Sequence, residues 1–457
     1  MKDGVKIGLE IHGYIDTKEK LFCTCKALHG LKISKPNTNI CPICTGQPGA
    51  KPMPANALAL DKAIQIALIL GCKINPSLKW QRKHYSWPDL PKGYQTTISG
   101  PHAVPLGVSG KFLGIKIKEC HLEEDPAAWD PKTGEIDYNR SGIPLIEIVT
   151  EPDFKSSEEV ESWLRELVIT LGYIKALDST AGIKADVNVS VSKSSYTKIE
   201  VKNVNSITNI KDAIDSEIIR QNKEIPKEQE TRAYDANNKT TRKMRSKEDA
   251  QDYRFIADPD LNEIKISKTR IETLRKTVPE TPSKKLEKLI KKHKIPKKTA
   301  EILTKNIDIV ELFENILASN VNPKLATRWI SEELFSVLNY NKKKLDQISL
   351  DPKHFIELLE LIEQEALSEP KAREILRSWK ESSVSPKANI KQHAQISDTK
   401  EIEKAVEKAI KENPKAVNDY KSGEQSAINF LMGKVMQATK KRADYNLSRK
   451  ILIEKLK

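Results

Sequence analysis

At 457 residues the chain is long enough for two or three domains with ample core, which excludes a peptide scaffold. Its 77 Lys and Arg against 63 Asp and Glu leave a formal charge of +14 and a pI near 9.2. That balance favours a polyanionic partner such as RNA, and would equally suit a lysine-rich thermophilic or salt-adapted surface. Met1 to Gly13 holds no secretory apolar run, and the most apolar span, Ala57 to Leu70, is broken by Asp61, Lys62 and Gln65; the expectation is a soluble, cytoplasmic protein with no membrane partner.

In chain order, strand-like runs alternate with turns such as Pro88–Gly93 and Asp130–Gly134 as far as about Pro279, which reads as one large α+β domain over 1–280. Four of these runs carry polar side chains on one face and aliphatic ones on the other. Glu10 and His12 share a face in Leu9–His12; Glu147 interrupts the apolar Leu145–Val149; Asp186, Asn188 and Ser190 alternate with valines; Glu200 and Lys202 flank Val201. The period of two in strands makes these facings readable without coordinates. The pattern suits a metal-phosphate site on a sheet, or a half-exposed antiparallel sheet whose outer face is merely wet. Ser156 with Glu159 forms a capping box, and Val160, Trp163, Leu164, Leu167, Val168 and Leu171 follow at helical spacing, so a helix backs the sheet there.

Beyond Thr281 glycine almost vanishes and helical text takes over, as in Lys284–Lys292, Phe355–Glu365 and Ile402–Glu412. Proline at 296, 323, 352, 370 and 386 divides it into short bundled helices. A looser stretch, Ser382 to Ser397, is the expected hinge between a helical domain at 281–395 and a small helical tail domain at 396–457.

Six cysteines, four of them in two tight pairs, fit a reducing compartment and a metal better than a disulfide framework. Cys23, Cys25, Cys41 and Cys44 can supply the four thiolates of a structural zinc site inserted near 23–44, with no open position for a catalytic water; lost or unligated thiols are the alternative. Cys72 and Cys120 read as packed thiols.

His121-Leu122-Glu123-Glu124-Asp125 adds three carboxylates to the strand-borne acids. Such a density calls for cations, and oxygen ligands with a single His suit magnesium or manganese, of which magnesium on carboxylates serves phosphoryl transfer from a nucleotide. Neither common Gly-rich phosphate loop is present, so metals and basic side chains must hold the phosphates. Arg82, Lys83, Lys92, Arg140, Lys184 and Lys202 are candidates, each also readable as a solvated surface group.

The chain resembles the B subunits of the tRNA-dependent amidotransferases that convert glutamyl- or aspartyl-tRNA to the glutaminyl or asparaginyl form. The motifs are Gly8–His12, LFCTC with CPICTGQPG, Arg82–Gln95, HLEED, Asn139–Asp153, DVNVS, Lys198–Ser206 and Met244–Phe255, with Asn429–Gly433 near the end. They run nearly the whole length and leave no room for the insertion of the related archaeal E subunit. The resemblance implies that ATP phosphorylates the side-chain carboxylate of the tRNA-bound amino acid and ammonia displaces the phosphate. It places magnesium on Glu10, His12, Glu124, Glu147, Asp186 and Glu200, charge stabilisation on Lys202 and Arg140, and nucleotide contacts on Lys83, Lys92, Arg140, Lys184, Asn188 and Lys202. It further implies a heterotrimer with an amidase-type glutaminase subunit and a small bridging subunit, and a tail that grips misacylated tRNA. Ser179–Lys184, and His84, Ser86 and Trp87, depart from the usual family choices. A non-catalytic zinc-stapled RNA-binding scaffold, and an ATP-dependent ligase acting on a free amino acid, are the competing readings.

Overall fold

The computed structural model describes residues 4–28, 35–178, 181–246, 253–389, 396 and 399–456. The chain divides into two compact units, Met1–Thr281 and Pro282–Lys457. Positions 247–252 of the Met244–Phe255 motif, Ser179 and Thr180, and positions 390–395 and 397 of the expected hinge lie outside the described residues.

The first unit is built on sixteen strands among the described residues. They run β1 (Val5–Tyr14), β2 (Lys73–Ile74), β3 (Ser77–Leu78), β4 (Gln81–His84), β5 (Gln95–Thr97), β6 (Gly107–Phe112), β7 (Ile115–Glu124) and β8 (Ala128–Trp129). There follow β9 (Ile136–Asp137), β10 (Pro144–Thr150), β11 (Ile183–Val191), β12 (Ile199–Asn205), β13 (Glu230–Asp235), β14 (Thr240–Ser246), β15 (Arg254–Ala257) and β16 (Ile264–Lys265). The main sheet has the order β14-β13-β12-β11-β1-β10-β7-β5-β4-β15, with β6 on β7 and β2 on β6. Its pairs are antiparallel except β12 with β13. That junction needs a crossover, and α3 (Ile207–Lys223) supplies it between the two strands.

One face of the sheet carries the core. Ile7, Leu9 and Ile11 of β1, Ile146 and Ile148 of β10, Leu122 of β7, and Val187 and Val189 of β11 are buried in one cluster with α1 (Ala57–Ile69) and α2 (Ser157–Tyr173). The Ser156 hydroxyl caps α2 by accepting from the Glu159 amide at 3.2 Å. The Glu159 carboxylate closes back on the Lys155 amide at 2.8 Å, one residue earlier than a capping box places it. Val160, Trp163, Leu164, Leu167 and Leu171 are buried, whereas Val168 is exposed, so the apolar stripe is one residue narrower than its periodicity suggests.

The second unit is helical among its described residues. Observed helices Pro282–Lys291, Pro352–Glu363 and Thr399–Glu412 overlap the expected ones. Pro323 and Pro352 stand in the first turn of their helices and Pro370 does the same in Glu369–Ser378. They start helices rather than break them, because the amide a proline lacks has no intrahelical acceptor at that position. Ile402, Val406, Leu431, Val435 and Leu452 form a core of their own within the tail. No described helix is long and apolar enough to cross a membrane.

Candidate active site

The polar face of the main sheet is assembled by register. β1 sets Glu10 opposite Asp186 of β11 and His12 opposite Glu147 of β10; β10 sets Glu147 opposite His121 and Leu145 opposite Glu123 of β7; β11 sets Asn188 opposite Glu200 of β12. Since directly paired residues point to the same side, five strands deliver their acids and histidines to one surface.

Two groups result. His12, Glu123 and Glu147 bring one ligand atom each within 4.8 Å of one another, and so do Glu10, Asp186 and Glu200. In the first, His12 Nε2 lies 3.2 Å from Glu147 Oε2, and buried His121 reaches the same oxygen at 3.4 Å while its Nδ1 lies 3.1 Å from Glu119. In the second, the Lys202 ammonium donates to Asp186 at 2.7 Å and stands 3.4 Å from Glu200, and the Asn203 amide donates to Asp186 at 2.7 Å.

The electrostatics reflect the crowding of buried acids on one face. Burial, then the charges of Glu147, Asp186 and Glu200, push the Glu10 carboxyl above its ordinary range. Burial and Glu147 do the same to Glu123. Burial would also raise Glu147, but His121 and His12 outweigh it and hold that carboxyl well below its usual range. Burial works against the charged form of both histidines, yet Glu147 carries His12 up to about 9 and His121 to about 10. A divalent ion at either group would compete with these protons and with Lys202 for the same oxygens.

Beside these groups, Asp125 gathers the Tyr14 hydroxyl at 2.8 Å and Arg140 Nε at 2.8 Å. Arg140 also donates to the Pro126 and Ala127 carbonyls at 3.1 and 2.9 Å. Lys184, opposite His12 in the register, has its ammonium pKa lowered by burial and by Arg140. Arg140 and Lys184 thus bring two cations to one buried carboxylate next to the acids.

Strand parity sorts the other expected residues. Lys83 lies on the site face, its charge opposing Glu123 and its ammonium 4.8 Å over the Tyr253 ring. Asn188 lies there too, and its buried Oδ1 accepts no hydrogen bond among the described residues. Glu124 falls on the opposite side of β7. It accepts from the Thr96 amide at 2.9 Å and from the Lys92 ammonium, outside both acid groups. Lys92 is therefore tied up on the reverse face. Arg82 is held there by Asp258 at 3.0 Å and Asp260 at 2.6 Å and lies 4.2 Å over the Tyr94 ring. Glu123, His121, Glu119, Tyr14 and Asp125 were not among the expected site residues. For Glu123 and His121 the signal was present: Leu122 between them is apolar, so its face is the core and the alternate positions belong to the site.

At the edge of this unit, the sulfurs of Cys23, Cys25, Cys41 and Cys44 also lie within 4.8 Å of one another, those of Cys41 and Cys44 at 3.8 Å. A hydrogen bond from Cys23, helped by the Lys20 charge, holds the Cys44 thiol at about 5, while burial pushes Cys25 to about 11. Cys72 and Cys120 are buried elsewhere, and burial raises both thiols, which leaves them inert packing groups.

Residues 5–272 match the family described as the GatB/GatE catalytic domain, and residues 311–456 match the GatB domain. The chain is 43% identical to the B subunit of the aspartyl/glutamyl-tRNA(Asn/Gln) amidotransferase of Methanococcus maripaludis strain C6, over 96% of each chain. It is 42% identical to the protein of the same name in Methanocaldococcus jannaschii, over 99% of this chain and 98% of that one. With that of Methanothermobacter thermautotrophicus it shares 40%, over 99% and 100%.

Proposed function

The chain belongs to the GatB family of amidotransferase B subunits, and from that premise we propose that the polar face of its main sheet is where the side-chain carboxylate of Glu-tRNA(Gln) or Asp-tRNA(Asn) is phosphorylated by ATP and then amidated. It is a component of an ATP-dependent ligase that forms carbon–nitrogen bonds on tRNA, and works within a multi-subunit complex. The observation that carries the site assignment is the pair of three-ligand groups, His12–Glu123–Glu147 and Glu10–Asp186–Glu200, on one side of one sheet.

A carboxylate does not lose oxide to ammonia unaided, so it is first converted to an acyl phosphate. Magnesium fits the groups present: the donors are carboxylates with one imidazole, and the unpartnered Asn188 Oδ1 offers a further oxygen. Bound there, it would neutralise the phosphates and the charge that builds on them during transfer. Lys202 steers the second group and stands ready to follow the transferring phosphoryl. Arg140 and Lys184, oriented by Asp125, hold the carboxylate or its phosphate. Lys83 lies at the entrance of the first group and suits a nucleotide phosphate. Glu124 and Lys92 act from behind, fixing the turn and β7. Ammonia reaches the acyl phosphate from an amidase-type glutaminase subunit, with a small third subunit bridging the two. Zinc on the four cysteines closes the 23–44 insertion. The chain works in the cytoplasm, and residues 396–457 form the tRNA-gripping tail behind a helical domain at 281–395.

The test supplies the purified complex with magnesium, ATP, aspartyl- or glutamyl-tRNA and ammonium salt in place of glutamine, and identifies the amino acid released from the tRNA. Asparagine or glutamine is expected from the unaltered complex and neither from Glu147→Ala or Glu200→Ala. Undiminished amide formation in both variants would sink the assignment.

A further inference from the structure

Lys20 is one of the largest fully buried side chains, only 1% exposed. A buried ammonium is costly without a nearby negative charge. Its partners are the Asn39 carbonyl at 3.1 Å, the Tyr138 carbonyl at 3.5 Å and Cys44 Sγ at 3.5 Å. Carbonyls satisfy its hydrogens but not its charge. Four thiolates around a divalent ion would carry a net charge of minus two, and one ammonium against them halves it. Lys20 therefore has the counter-charge its burial demands when the thiolate set is formed.

The same side chain reaches the loop that presents Arg140, since Tyr138 is two residues away. That loop meets the cysteine insertion and its flank at further points, among them Asn37, which binds Asp137 and Tyr138. The Asn39 amide donates to the buried Asn139 side chain at 2.7 Å, the Ser141 hydroxyl donates to the Cys44 carbonyl at 2.8 Å, and the Leu21 amide donates to the Gly142 carbonyl at 2.8 Å. On its other flank the insertion abuts the turn carrying Lys92. Gly46 has φ +64°, and a Cβ there would overlap the Pro91 carbonyl oxygen, so only glycine permits the approach.

We infer that Lys20 is a positioning residue that couples the metal-loaded cysteine set to the 137–142 loop, so that occupancy of the thiolates fixes where Arg140 stands against the substrate. This rests on the zinc reading above. Lys20 touches neither ATP nor the aminoacyl group; it acts through Tyr138 and the loop.

The experiment uses the complete complex. Metal content is measured by mass spectrometry, the metal is stripped with a chelator, and backbone hydrogen exchange is followed with and without it. Protection over 136–143 is expected to fall about tenfold or more on stripping while β1 and β10 keep theirs. Lys20→Met should lose zinc to the chelator roughly 10- to 100-fold faster, and its KM for aminoacyl-tRNA should rise by a larger factor than its kcat falls. Lys20→Arg, which keeps the charge, should recover part of both. If Lys20→Met does not fold, the stripping experiment on the unaltered chain decides. Bound zinc with no change over 136–143 on removal would overturn the coupling and leave the zinc reading intact. Absence of zinc at every stage would overturn both.

Discussion

Glu147 stands between two histidines on opposite sides of its own strand, bonded to His12 on β1 at 3.2 Å and 3.4 Å from His121 on β7, both through the same carboxylate oxygen. One acid thus orients both rings. In Glu147→Gln the His12 pKa, held at about 9, should fall, because the largest influence raising it against burial is gone and only the weaker pull of Glu123 and Asp186 remains. Proton NMR titration of the metal-free protein reads this directly. Amide formation should fall roughly 100-fold or more, as for loss of a metal ligand.

Glu123 and Glu124 are adjacent and face opposite ways. Glu123→Gln should abolish most activity and leave stability equal or higher, since burial and Glu147 already oppose its charge. Glu124→Gln removes the partner of Lys92 and should destabilise the domain by about 3 kcal/mol through an unpaired ammonium, with the smaller effect on turnover per folded molecule. Thermal melts and kcat of the two variants separate the roles.

Stability of the metal-free chain should fall with rising pH. His12 and His121 are raised to about 9 and about 10, so their contribution is fully present below about 6.5 and is lost as pH climbs through those higher values. The raised carboxyls of Glu10 and Glu123 act in the same direction at lower pH. Magnesium should therefore raise the Tm more at pH 8.5 than at pH 6, where protons compete for the same ligands. Calorimetry in chelator and in excess magnesium gives the difference; an equal shift at both pH values would place magnesium elsewhere.

Deletion after Ser397 removes a segment with its own core. The remaining chain should stay folded with a cooperative melt and keep its metal content, while its affinity for tRNA drops and loses part of its salt dependence. Filter binding at two ionic strengths tests it, and unchanged affinity would assign tRNA binding to the rest of the chain.

The shared face of the candidate site was legible because a strand is a two-sided object. The alternation around Glu10, Glu147, Asp186 and Glu200 located one surface on four strands before any coordinates. Within HLEED the expected ligand was Glu124 alone; Leu122 in the core sends Glu123 and Glu124 to different faces. Lys92 and Arg82 were hidden for a related reason, since their partners Glu124, Asp258 and Asp260 are set by strand pairing across long separations. Lys20 gave no sign at all, because Tyr138 lies 118 positions further on and only folding brings them together. The helical unit was easier, its proline-started helices being local.

Glu10 belongs to one acid group and His12 to the other, and a single residue of β1 separates them. A strand advances about 3.3 Å per residue, so covalent geometry alone sets the offset between the two groups at about 6.6 Å. An insertion between them would turn one of the pair into the core, whereas surface loops of this unit can grow or shrink freely. β1 is in that sense a ruler, and the distance it measures is one that evolution has no gradual way to adjust.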